Sequence, residues 1–535
     1  MLTQMLSMTS VASTTSVLLI IGLVIRIIQN RILHPLRSAP GPWFNSLSEL
    51  PAAIALVKGD QHLYYRSLHE KYGLVVRVSP NELSFIGTDA REEIYGFRAS
   101  ASKKKKKDQH CPFANFRIMQ KGALLMEKSP IFLGAVGNVD GETGVSLALD
   151  KEHTRQRKAL GYLFTNSALA KLEDILQIHA HKLVAVLEKG ASENQAMNVS
   201  DWYTYLAFDM MGDLCFAEPF GCLDQASATE WSTSVINVFV AATWTQGIRR
   251  ISGVGTWLER LITWLLVPQK AASWRSIHLN NSREKTVRRL QDPNREHTDF
   301  MYQILNNESR SLLSKTEIQL NMALFISAGT DTTATALVGW TYFICTHPNV
   351  YKRLTAEIRS AFMANEDVKW EKVKKLAYLE ATLNEALRLF PPSPASQQRV
   401  VPPGGATIAG LYVPAGTTVA VPPWVSTHSH VNFVEPDAFI PERWLAEDPK
   451  FQGDRLNASL PFGTGPRVCI GKNLANLEMR LIASKMLCNF DLELDIGDYR
   501  MANQQWGLNG QMMPMKVYHS MTKLPLWIKV KRVNS

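Results

Sequence analysis

The chain has 535 residues, 46% of them hydrophobic and 20% charged, with a formal net charge of +10. These proportions are ordinary for a globular protein and exclude a disordered or fibrous chain. The excess of Lys and Arg would suit nucleic acid, but no nucleic-acid module accompanies it. An acidic protein and an anionic membrane surface are the better candidates, and no nucleic-acid partner is expected.

From the N-terminus, Val17 to Ile28 is almost wholly Leu, Ile and Val, interrupted by Gly22 and Arg26. With Val11 to Ser16 it approaches the roughly 18 residues needed to cross a bilayer. No Lys or Arg precedes Arg26, whereas Arg31 and Arg37 follow, a bias that keeps the downstream chain cytoplasmic. A cleaved signal peptide would need a charged leading region, which is absent. Residues 1–37 therefore read as a single-pass transmembrane anchor and hinge. Residues 38–535, with no linker, repeat or low-complexity tract, read as one domain.

Leu74 to Pro80 and Glu82 to Ile86 alternate around Pro80-Asn81 and predict a hairpin. Lys103 to Lys107 reads as a solvated charged loop. His153 and Arg157, four apart, share one helical face. Ser314-Lys315-Thr316-Glu317 has the form of a capping box, and an apolar helical run follows as far as Thr346. In its middle, Ala328-Gly329-Thr330-Asp331-Thr332-Thr333 is poor helix-interior sequence. Small residues there leave room for something flat, with Ala328 and Thr332 on one face; the alternative is a kinked core helix whose Thr bonds its own turn. Glu385 and Arg388 lie on one face of a second helix that ends at Phe390-Pro391-Pro392. Val413 to Val421 suggests a strand pair.

Pro461-Phe462-Gly463-Thr464-Gly465-Pro466-Arg467-Val468-Cys469-Ile470-Gly471 is the densest motif, followed by a helix over Asn473 to Leu487. Such Gly/Pro density forces an irregular loop that aims backbone N–H groups at the thiol of Cys469, which favours thiolate. A lone buried cysteine acting as a small hydrophobe is the plain alternative. The six cysteines (Cys111, Cys215, Cys222, Cys345, Cys469, Cys488) show neither disulfide nor zinc spacing, which points to a reducing compartment.

The cysteine loop resembles the haem-binding signature of the cytochrome P-450 family at every position, and the other motifs extend the likeness from the mid-thirties to the C-terminal end. The resemblance implies a mainly α fold with small β-sheets, preceded by one transmembrane helix. It implies haem b, with Cys469 as the axial iron ligand and Phe462, Arg467, His153, Arg157 and Arg399 contacting the haem; His153 stands where the family more often has Trp. It further implies that Asp331 and Thr332 deliver protons during O2 activation, that Glu385, Arg388 and Arg443 form a structural triad, and that Phe325, Ala328, Ala395, Ser396, Gln397 and the stretch Trp506 to Met515 line the substrate pocket. Those wall residues include no cation suited to a carboxylate, so a neutral lipophilic substrate is favoured over a fatty acid. Electrons would come from NADPH through NADPH-cytochrome P-450 reductase, docking near Lys158, Lys472 and Arg480, with cytochrome b5 as a further candidate partner. The place would be the endoplasmic-reticulum membrane, catalytic domain in the cytosol. Tyr72 to Leu83, Phe208 to Leu214 and Asn432-Phe433 are similar to fungal members that tailor sesquiterpenoids and polyketides by hydroxylation or epoxidation. Competing readings are a haem-thiolate isomerase or dehydratase that needs no reductase, and a haem sensor.

Overall fold

The computed structural model describes residues 21–22, 24–96, 125–292, 297–306 and 312–533. The helices that position the site are α1 (Thr88–Tyr95), α2 (Asp150–Leu160), α3 (Val199–Phe216), α4 (Glu230–Ser252), α5 (Gln269–Gln291), α6 (Lys315–Thr346), α7 (Ala377–Leu389) and α8 (Lys472–Asn489). The strands are β1 (Val75–Ser79), β2 (Glu82–Phe85), β3 (Glu127–Lys128), β4 (Arg399–Val400), β5 (Ala406–Ile408), β6 (Leu411–Val413), β7 (Thr418–Ala420), β8 (Val517–Tyr518) and β9 (Ser520–Met521). A mainly helical body with small sheets is therefore observed, as expected.

The central rod is α6. Ser314 Oγ accepts the Glu317 N–H at 2.9 Å and the Glu317 carboxylate accepts the Ser314 N–H at 2.9 Å, so the predicted capping box closes. Apolar on nearly all sides, the helix is buried over most of its length, as a core helix must be. It stops at His347, ahead of Pro348, because the residue before proline is pushed out of the helical region. Its most extensive partner is α3. The close approach depends on Gly329, where an added Cβ would sit 2.4 Å from the Met211 sulfur.

β1 and β2 form the expected antiparallel hairpin, and the sheet continues in the order β1-β2-β7-β4-β3. The strand pair expected over Val413 to Val421 is not formed. β6 pairs with β5 across Ala409-Gly410, both at positive φ, the two-residue turn that matches strand twist. β7 instead runs parallel to β2 in the larger sheet.

Residues 1–20 and 23 of the expected anchor, and Lys103 to Lys107, lie outside the described residues. Among the described residues no helix is long and apolar enough to cross a membrane. Arg26 donates to the Leu47 carbonyl at 2.8 Å. Of the six cysteines, Cys215, Cys222, Cys345, Cys469 and Cys488 are described and free.

Candidate active site

The cysteine loop folds back on itself: the Cys469 N–H donates to the Phe462 carbonyl at 2.8 Å and the Val468 N–H to Gly465 at 3.1 Å. Gly465 has φ +73°, and a Cβ there would lie 1.9 Å from the Tyr95 carbonyl oxygen, so only glycine lets the loop reach α1. Cys469 is exposed, and its surface faces a cavity of about 320 Å³ between this loop and α6. Burial by the surrounding protein raises its pKa, opposed by the Gly471 N–H and by the charges of Arg157 and Lys472.

Cations ring the same cavity. His153, Arg157, Arg467 and Lys128 line it. Arg157 donates to the Val468 carbonyl at 2.7 Å and Arg467 to the Ala148 carbonyl at 2.8 Å, so both guanidiniums brace the loop that carries Cys469. Burial, and then repulsion from Arg467, Arg157, Lys128 and Arg399, push His153 down to about 4. Burial also lowers Arg399 to about 10; it lies 5.1 Å over the Tyr95 ring and is the cross-strand partner of Lys128. Among the described residues, no carboxylate forms an ion pair with Lys128, His153, Arg157 or Arg399, and the nearest acid to Arg467, Asp150, is 3.8 Å away. Half-buried Lys128, Arg157 and Arg467 and buried Arg399, with the neutral imidazole of His153, surround an open thiol, a donor set that a haem with two propionates would satisfy.

On the opposite wall, Phe325, Ala328, Gly329, Thr332 and Thr333 line the cavity. The Thr332 hydroxyl donates to its own turn, to the Ala328 carbonyl, at 2.6 Å, the alternative weighed from the sequence. Its oxygen keeps lone pairs free on the cavity side. Asp331 is not on the wall. It is buried behind α6 in an ion pair with Lys523, which also reaches Thr335 at 3.3 Å. Thr333 donates to Glu478 of α8 at 2.9 Å, and burial pushes that carboxyl up to about 8.

The expected pocket residues divide. Gln397 is on the wall; Ala395, which packs against the main core, and Ser396, whose buried hydroxyl has no partner among the described residues, are not. Trp506 is also misplaced by the resemblance. It is fully buried against Tyr342 and Phe390, with its indole N–H on the Pro525 carbonyl at 3.1 Å, near the C-terminal end of α6.

The triad is formed as expected and wholly buried. Arg388 donates twice to Glu385, at 2.8 Å each, and Arg443 donates to Glu385 at 2.9 Å. Trp444 and the Ile440 N–H add donors at 2.9 and 3.0 Å, so the carboxylate takes five hydrogen bonds. Arg443 also pairs with Asp454, which sequence reasoning missed.

Lys128, Lys523 and Glu478 were missed as well. Only Glu478 left a signal: a lone acid on the apolar face of α8, one turn beyond cavity-lining Leu474. Lys128 sits in a two-residue strand and Lys523 in a loop, where no periodicity exists.

The cytochrome P-450 family pattern matches residues 123–519. Over 535 residues the chain is 54% identical to cytochrome P-450 monooxygenase aba2 of Botryotinia fuckeliana, covering all of this chain and 97% of that one. It is 48% identical over 518 residues to ABA2 of Pyricularia oryzae, covering 96% and 94%. It is also 35% identical over 499 residues to averantin hydroxylase of Dothistroma septosporum, covering 93% and 87%. With likeness of this depth along the whole chain, and an open thiol facing a cation-ringed cavity, the chain belongs to the cytochrome P-450 family and is a monooxygenase.

Proposed function

We propose that this monooxygenase hydroxylates or epoxidises a lipophilic small molecule in a fungal secondary-metabolite pathway, with electrons passed from NADPH by a membrane-bound reductase. The observation that carries the reading is the Cys469 thiol, open to a cavity whose other walls include small α6 residues and the cations Lys128, Arg157 and Arg467. Cys469 would hold the haem iron; Arg157, Arg399, Arg467, His153 and Lys128 would take the propionates; Phe462 would cover the thiolate face. The bound haem supplies O2 activation and the oxidation of an unactivated C–H bond or an alkene. The protein's own contribution is the proton route and the pocket. Thr332 can accept a proton at Oγ1 on the cavity side, and Asp331 can pass one from behind the helix once released from Lys523. The terpenoid or polyketide class rests on the resemblance of Tyr72 to Leu83, Phe208 to Leu214 and Asn432-Phe433 to fungal tailoring members.

The reading places the chain on the endoplasmic reticulum, held by its N-terminal segment with the catalytic domain in the cytosol. Native chain free of glycans at Asn198, Asn280, Asn307 and Asn457 fits that orientation; glycosidase-sensitive mass at any of them reverses it. For the chemistry, Cys469→Ser should abolish the thiolate-specific Soret band of the reduced CO complex and all NADPH-dependent product. Survival of that band would remove the ligand assignment.

A further inference from the structure

Tyr95 closes α1, and three parts of the site converge on it. Its backbone carbonyl faces Gly465 of the cysteine loop so closely that no Cβ fits between them. Its hydroxyl donates to the Gln397 carbonyl at 2.8 Å and accepts the Val421 N–H at 3.0 Å, and Gln397 is part of the cavity wall. Its ring lies beneath the Arg399 guanidinium, whose carbon is 5.1 Å from the ring centroid.

Packing alone would not call for tyrosine. The side chain lies against a smaller core cluster that includes Leu83, Ile94 and Val421, and leucine would cover that apolar flank. The ring face and the hydroxyl do two further things. Arg399 is buried, and among the described residues no carboxylate pairs with it, so the negative face of the ring stands where an anion would. It is the cross-strand partner of cavity-lining Lys128, and its charge reaches His153 and Arg467 of the same wall. The hydroxyl, bonded at both its donor and acceptor sides, ties the strand segment that carries Gln397 and Arg399 to the helix on which the cysteine loop rests.

We propose that Tyr95 is a positioning residue with two separable parts: its ring holds the Arg399 guanidinium where a haem propionate is taken, and its hydroxyl holds the Gln397 wall at a set distance from the cysteine loop. The inference rests on the functional reading above and adds a residue through which the haem's charge environment and the shape of the pocket are fixed together.

The test uses purified holoenzyme, its midpoint potential, and two probes that bind haem iron: imidazole, which stays at the metal, and clotrimazole, whose aryl rings reach the pocket walls. Tyr95→Phe keeps the ring and removes the hydroxyl. It should raise Kd for clotrimazole by several-fold to tenfold, the range of one neutral hydrogen bond, and leave imidazole and the potential unchanged. Tyr95→Leu removes both parts. It should add a downward shift of the potential, read as a several-fold smaller ferrous-to-ferric ratio at a fixed applied potential, because a cation further from the propionates stabilises the incoming electron less. Arg399→Gln should reproduce that shift, and Tyr95→Leu added to it should shift the potential no further. Melting temperature and the reduced-CO band identify folded variants, and Arg399→Gln keeps the ring's part decidable if the leucine variant fails to fold. Unchanged clotrimazole affinity in Tyr95→Phe, an unchanged potential in Arg399→Gln, or additive shifts in the double variant overturns the inference. A wild type with the thiolate band but none of these shifts in its variants loses only this inference; the expected shifts in a haem lacking that band would support it while removing the functional reading.

Discussion

The two walls of the cavity are built on different plans. On the cysteine side, one eleven-residue loop supplies thiol, turn glycines and a cation, and the buried Glu385 network clamps the segment leading to it. On the opposite side the groups come from far apart: Phe325, Ala328 and Thr332 from α6, Met211 from α3 and Gln397 from the segment before β4, with Asp331 held behind them by Lys523 of the C-terminal segment. The first wall fixes the chemistry with local geometry and dense hydrogen bonding; the second assembles selectivity and proton handling from side chains that meet only in the folded chain. Damage to the first should therefore remove haem and fold together, whereas damage to the second should leave a loaded enzyme that works badly.

The largest expected effect breaks the first wall. Glu385→Ala would leave Arg388 and Arg443 as buried cations without their carboxylate, a loss on the order of 3–5 kcal/mol. Chemical denaturation should show that destabilisation, with weakened haem retention. A variant that kept full stability and lost only turnover would contradict the structural role of the network.

The second wall should fail differently. General acid assistance contributes about 10²- to 10⁴-fold, so product formation by Asp331→Asn should fall within that range while the haem spectrum persists. Thr332→Ala should keep the spectrum, the substrate-binding shift and NADPH consumption, and release hydrogen peroxide in place of product. The ratio of product to NADPH consumed measures both. Unchanged coupling in the two variants would remove the proton-relay role, and with it the contrast between the walls.

That contrast also governs what was legible in the sequence. Cys469, Arg467, the α6 capping box and the Glu385–Arg388 pair were readable because each depends on neighbours within a turn or a loop. The destination of Asp331 was not, since its partner is Lys523. Nor was the separation of β6 from β7, which turns on a tight Ala409-Gly410 hairpin capturing β6 for β5. Resemblance placed the pocket's C-terminal wall at Trp506 to Met515, where size and apolarity suited a pocket. The chain spends Trp506 on the core beside Tyr342.

The smallest expected effect lies in the roof formed where α4 and α5 pack on α6. His278 of α5 is fully buried; its Nδ1 accepts the Trp231 indole N–H from α4 at 3.0 Å, and its Nε2–H donates to the Ala323 carbonyl of α6 at 2.9 Å. One neutral imidazole thus joins three helices, and burial pushes its pKa down from 6.5 to about 4. Between those values the unfolded chain binds a proton that the folded chain refuses, so this contribution to stability is complete above pH 6.5 and is lost as pH falls towards 4. The slope approaches about 1.4 kcal/mol per pH unit inside that window. Other buried histidines add to the same acid loss, so the informative measurement is a difference. His278→Gln, with an amide able to bond both partners, should lower stability modestly at neutral pH and show a shallower decline between pH 6.5 and 4. Parallel acid profiles for His278→Gln and wild type would show that the roof is not held by this neutral histidine.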